Sequence, residues 1–70
     1  MTEVQRLLRE RDLTVAWLAR RVDMHPATLQ YQLQFRAHPN YPIAIAIAGI
    51  LSVYPTQIIG EDGRWREEEP

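Results

Sequence analysis

The sequence predicts a compact all-α domain of five helices around a central helix-turn-helix. Apolar residues recur at helical spacing before residue 23, at Val15, Leu18, Ala19 and Val22. A break at 23–25 precedes Pro26, whose fixed φ suits the first turn of a new helix, and apolar Leu29 and Leu33 then lie four apart. Two short helices separated by about three residues form a helix-turn-helix, whose second helix presents one face outward.

Composition narrows the class of protein. Seventy residues make one small domain, and the absence of cysteine excludes disulfides, thiolate zinc sites and a cysteine nucleophile. The longest apolar run, 43–51, is short of the ~20 residues that span a bilayer, and the N-terminus has no signal pattern. The expected location is therefore the cytoplasm.

Charge is unevenly distributed along the chain. The formal net charge is −1, yet six arginines face four acidic residues up to Gly60, and two arginines face five acidic residues after it. This divides the chain into a weakly basic domain, 1–60, and an acidic C-terminal tail, 61–70. A weakly basic body is compatible with DNA binding without the strong basic footprint of an obvious case.

The first two helices are predicted from their caps and apolar faces. Residues 2–11 form the first, with Thr2 as N-cap and Val4, Leu7 and Leu8 facing inward. Leu13 fills the core from the loop, and Thr14 caps the second helix. Trp17 lies beside the apolar stripe of the second helix and is interpreted as packing rather than binding.

The third helix, residues 26–34, has an outer face without charge. Amides and small groups share it and its flanks, at Ala27, Thr28, Gln30, Tyr31 and Gln34. Glutamine can form paired hydrogen bonds with adenine, and small groups can meet the thymine methyl. A neutral polar face with no partner is the alternative. His25 is interpreted as a turn residue that caps this helix and touches a phosphate.

The rest of the chain is a polar loop, two further helices and the tail. The loop 35–41 carries donors for phosphate, at Arg36, His38, Asn40 and Tyr41. Alternating isoleucine and alanine over 43–47 are compatible with a strand, but alanine favours a helix over 42–54 that is apolar nearly all round. Ile45 would point away from the core, where it could contact a partner subunit. Residues 55–59 form a last helix, and Trp65 is either packed onto the domain or free.

Three segments in order resemble the phage repressor and Cro-like helix-turn-helix family, over residues 3–60. Leu13-Thr14 followed by Leu18-Ala19 looks like that family's second helix, 28–33 like its recognition helix, and 47–53 like the end of its fourth helix. The resemblance implies a lambda-repressor-like five-helix fold. The chain departs from the family pattern at four places. Val15 stands where the family often has Gln, and Asp23 stands at the turn position that is usually Gly, where it must adopt a left-handed conformation. Leu8 and Leu33 replace an Arg and Glu pair of many members, and Pro26-Ala27 replace longer polar side chains.

The residues and the resemblance together imply a sequence-specific regulator that binds double-stranded DNA as a homodimer. The expected base contacts are Ala27, Gln30, Tyr31 and Gln34. The expected phosphate contacts are Thr14, His25, Thr28, Arg36, His38 and Asn40. The expected dimer contacts are Ile45, Ile58, Ile59 and Trp65.

The same fold could instead serve as a protein-interaction module or as a phage excision factor. No catalytic constellation is evident, and two histidines thirteen residues apart lack the other ligands of a metal site. We therefore expect no enzyme activity, no metal, no cofactor, no small-molecule ligand and no membrane association. The resemblance places the protein in a bacterial or phage-infected cell.

Overall fold

Five helices and no strand occur in the part of the chain that the structure describes, residues 1–35 and 39–68 of a computed structural model. The helices are α1 (Glu3–Glu10), α2 (Val15–Arg21), α3 (Pro26–Phe35), α4 (Tyr41–Leu51) and α5 (Pro55–Ile58). The predicted all-α, five-helix class is confirmed. The alternation over 43–47 lies within α4 and forms no strand.

The two predicted N-caps are confirmed. Thr2 Oγ1 accepts a hydrogen bond from the Gln5 amide, and the Gln5 side chain accepts one from the Thr2 amide, which together make a capping box. Thr14 Oγ1 accepts from the Trp17 amide at 3.0 Å. Each bond satisfies an amide in the first turn that has no partner within the helix.

Helices α1, α2 and α4 end in the same way. Each is followed by a polar residue with φ of 57° and then by an apolar residue, in the pairs Asp12-Leu13, Asp23-Met24 and Ser52-Val53. The apolar residue donates its amide back to a carbonyl five positions earlier, as Met24 does to Ala19 at 2.8 Å. This is the Schellman motif, in which the left-handed residue turns the chain and the next side chain returns to the core.

The core is formed by one side of every helix. Its fully buried large side chains are Val4, Leu18, Leu29, Ile47, Leu51 and Ile58. Leu13, Trp17 and Met24 are half-buried against this cluster, as predicted. Leu8 and Leu33, where the family often has an ion pair, are both core residues.

The fourth helix differs from the prediction at both of its ends. Helix α4 begins one residue earlier, so Pro42 is its second residue and Asn40 its N-cap. It ends at Leu51 rather than near residue 54, because Ser52 adopts the left-handed conformation.

No helix within residues 1–35 and 39–68 has the length and hydropathy needed to cross a membrane.

The residues after α5 pack against the domain, which corrects the predicted boundary at residue 60. We call residues 59–68 the C-terminal strap. It forms antiparallel bridges between Ile59 and Trp65 and between Glu67 and Thr2. The Glu3 amide donates to the Arg66 carbonyl at 2.7 Å, and the Glu68 amide donates to the Met1 carbonyl at 2.8 Å. The strap is therefore part of the same folded unit as α1.

Three of the four residues predicted at the dimer interface belong to the core, so that part of the prediction was wrong. Ile58 is 0 % exposed, Ile59 8 % and Trp65 5 %. The strap covers α5, and its Trp65 inserts into the domain, so these side chains are not on the surface. Ile45 is 46 % exposed and stays a candidate for contact with a partner.

Candidate nucleic-acid interface

Helix α3 presents an uncharged outer face. Leu29 and Leu33 point into the core, and Gln30 and Gln32 are half-buried at its edges. The exposed residues are Pro26, Ala27, Thr28, Tyr31, Gln34 and Phe35. With no acidic side chain in its first turn, this face could approach a phosphate backbone without direct charge repulsion.

The start of α3 is closed by His25, as predicted. Its Nδ1 accepts a hydrogen bond from the Ala27 amide at 3.1 Å, and its carbonyl accepts from the Thr28 and Leu29 amides. When Nδ1 accepts, a neutral imidazole carries its proton on Nε2. The His25 side chain is exposed, so it can offer this N–H to an anion beside the start of α3.

Two exposed arginines end α2, immediately before the turn into α3. The Arg21 guanidinium lies 4.9 Å from the centre of the Trp17 ring, a cation–π contact that holds the side chain without neutralising it. Neither Arg20 nor Arg21 forms an ion pair with any residue that the structure describes. Two arginines, with Asp23 as the one acidic residue of the turn, therefore precede α3 in the chain.

The ion pairs between described residues lie on α1 and the strap. Arg6 pairs with Glu3 and Glu10, and the hydrogen bond that Arg6 Nε donates to Glu3 Oε1 raises the pKa of the Arg6 guanidinium. Arg9 Nη2 lies 2.6 Å from Glu68 Oε1, which ties α1 to the strap. These acidic side chains face arginines of α1 rather than Arg20 and Arg21.

Negative charge lies beside the end of α3. Glu67, in the strap, is exposed and lies 3.5 Å from the N-terminal ammonium group. It lines one cavity of about 190 Å³ together with Leu33 and Gln34, and another of about 220 Å³ that also includes Phe35. Arg64 lines the second cavity as well, so the end of α3 has both a carboxylate and a guanidinium group beside it.

An aromatic pair occupies the middle and end of the face. The Tyr31 and Phe35 rings lie 5.3 Å apart at 43°, and their side chains are 55 % and 70 % exposed. The structure extends α3 to include Phe35, which the sequence placed in the loop. Its spacing of four from Tyr31 was the signal that could have revealed the pair.

The structure brings only some of the predicted DNA-contact residues together on one exposed face. Ala27, Thr28 and Tyr31 share the exposed face of α3, Gln30 lies at its edge, and Gln34 is beside Glu67.

The predicted phosphate contacts are more widely spread. Thr14 caps the opposite end of α2 from the turn. Asn40 caps α4 between Pro39 and Tyr41, two residues that line a cleft against α5. Arg36 and His38 lie outside the described residues.

Comparison with known proteins identifies no relative: no family model, curated protein or solved structure matches the chain. Any function must therefore be argued from the geometry of α2 and α3.

Proposed function

We propose that this chain is a sequence-specific regulator that binds duplex DNA as a homodimer. The start of α3 would enter the major groove and the end of α2 would lie near the backbone. The observation that supports this best is the uncharged exposed face of α3 together with Arg20 and Arg21 at the end of the preceding helix, two cations with no described ion-pair partner. A helix of this kind fits the major groove, which is about 12 Å wide.

Sequence would be read by the first half of α3. The Ala27 methyl suits contact with a thymine methyl, and the Tyr31 hydroxyl can donate to or accept from a base edge. Gln30 can reach a base only by turning its half-buried amide outward. Gln34 is the least suited of the predicted readers, because Glu67 beside it would repel the DNA backbone.

Phosphates would be held on both sides of the turn. Arg20 and Arg21 supply charge, while His25 Nε2 and the Thr28 hydroxyl supply neutral donors. The first amides of α3 also place the positive end of the helix dipole there. Binding should weaken steeply as salt rises, because each neutralised phosphate releases bound counterions.

The test begins with selection from random DNA by the full chain, at low and then at moderate salt. We expect an enriched motif that survives moderate salt. Tyr31→Ala should then weaken binding to that motif by about 5- to 150-fold, corresponding to ~1–3 kcal/mol, with little change on unrelated DNA. Tyr54→Ala is the matched control, because Tyr54 is also exposed but caps α5. Absence of a motif at both salt concentrations would refute the proposal.

A protein-interaction module is the second candidate, and the Tyr31–Phe35 pair favours it. A 70 % exposed phenylalanine beside a tyrosine is the kind of aromatic anchor that binds in a protein groove. In that case purified chain would retain no DNA, and Phe35→Ala would abolish capture of a protein partner. Retention of a DNA motif by Phe35→Ala would favour the first proposal.

A further inference from the structure

Helix α4 is apolar on its exposed side as well as its buried side. Its buried residues are Ala44, Ile47, Ala48 and Leu51. The opposite side, which we call the α4 face, consists of Tyr41, Pro42, Ile45, Ala46 and Gly49. A helix that is apolar all round normally has a second surface against it.

The glycine in this face has no role in the packing of its own chain. A Cβ atom built on Gly49 would meet nothing within 4 Å, and Gly49 lies inside a regular helix. Glycine is the least favourable residue in a helix interior apart from proline. Close approach of a second backbone gives it a physical reason, since helices pack with axes 8–10 Å apart according to the side chains between them.

We propose that the α4 face is covered by the α4 face of a second copy of this chain, related by a two-fold axis. The inference deepens the dimeric part of the proposed function and replaces the buried residues Ile58, Ile59 and Trp65 as its interface. In this dimer Ile45 is an apolar contact, and Gly49 is the point at which the two α4 helices approach most closely.

The absence of charge favours a second copy over a different protein. Residues 39–60 contain no Asp, Glu, Lys or Arg, so the face itself brings no like charges together in a dimer of two copies. The acidic residue nearest to it in the chain, Glu61, shares a cleft with Tyr41 at one end of the face, away from Ile45 and Gly49. A face without charge also offers no electrostatic complementarity to a charged partner protein.

The available area is enough for a standard dimer only if the whole α4 side takes part. Such interfaces bury about 800 Å² per partner, roughly one sixth of this chain's 4757 Å² surface. The five residues of the α4 face supply only part of that area, on one side of a body of 27 × 23 × 21 Å. The interface must therefore use the whole face from Tyr41 to Gly49 together with neighbouring residues on the same side, and the loss of one central contact should be measurable.

The test is sedimentation equilibrium of the full chain without DNA, from micromolar to near-millimolar concentration. We expect reversible dimerisation of the 8.2 kDa chain. Ile45→Glu should raise the dissociation constant at least about tenfold, since each copy would bring a carboxylate to the interface. Ala16→Glu is the control, because it adds the same charge at an exposed position of α2.

Gly49→Ala separates folding from association. Under dilute, monomeric conditions it should raise Tm by about 4–8 °C, because alanine favours the helix and the site is open. The same variant should raise the dimer dissociation constant at least about tenfold, since its methyl group keeps the two helices apart.

A dimer dissociation constant that is unchanged in Ile45→Glu or in Gly49→Ala overturns the proposal. Monomeric mass at every concentration also overturns it. Because DNA is absent from all these measurements, their failure would be distinct from a failure to bind DNA.

Discussion

Trp65 provides the sharpest test of the strap. Its side chain is 5 % exposed, although it lies in a segment of mostly charged residues. A buried aromatic side chain contributes about 150–250 Å² of contact, and its replacement by alanine in a core typically destabilises by about 3–5 kcal/mol. We expect a loss of that size for Trp65→Ala.

The expected loss is large relative to the stability of so small a domain. At roughly 0.05–0.15 kcal/mol per residue, a chain of this length has a free energy of unfolding of about 4–10 kcal/mol. Trp65→Ala should therefore leave the fold marginal or unfolded at room temperature. A chain ending at Gly60 should be affected at least as much, because it also loses the hydrogen bonds from the Glu3 amide to Arg66 and from the Arg66 amide to Ile58.

The measurement is thermal and urea unfolding followed by far-ultraviolet circular dichroism. Trp65→Phe is the control: Trp65 Nε1 has no hydrogen-bond partner among the described residues, so phenylalanine removes volume without breaking a hydrogen bond. We expect it to cost less than Trp65→Ala, because phenylalanine leaves the smaller cavity. If Trp65→Ala or the chain ending at Gly60 melts within a few degrees of the intact protein, the strap does not stabilise the domain.

Variants at three further positions test the turn, a cap and the charges. Asp23→Gly should keep or raise Tm, because the site has φ of 57°, whereas Asp23→Val should lower the free energy of unfolding by about 1–2 kcal/mol. Thr14→Ala should lower it by about 1 kcal/mol and Thr14→Ser by less, since serine keeps the capping oxygen; urea unfolding measures both. Arg20→Ala should weaken binding to all DNA sequences alike and reduce the salt slope by about 1, whereas a change confined to one motif would contradict a phosphate contact.

The helices could be predicted because their signals are local. Thr2 and Thr14 precede apolar residues at helical spacing, and each cap bond joins residues only three apart. The left-handed turn at Asp23 was also expected from its position. Its likeness to the turns at Asp12 and Ser52 could have been found too, because each is a polar residue followed by a core residue.

The strap could not be predicted from local pattern. Its hydrogen bonds join residues far apart in sequence, such as Glu3 with Arg66, so neither hydrophobic periodicity nor a capping residue predicts them. Trp65 was the one apolar side chain in a charged segment, which left both a packed and a free position open. The predicted dimer contacts Ile58, Ile59 and Trp65 are buried because this segment packs against the domain.

The strap also bears on how α3 could meet DNA. Had the acidic residues been a free tail, they could have competed with DNA for Arg20 and Arg21. Glu68 is instead paired with Arg9, and Glu67 lies near the N-terminal ammonium group and beside Gln34, at the end of α3. Glu67 would therefore oppose a phosphate backbone at the end of α3, where Arg64 lines the same cavity and offsets part of its charge. On the proposed function, Glu67→Gln should strengthen non-specific DNA binding modestly at low salt, and anisotropy titrations that showed no change would place Glu67 too far from the DNA to matter.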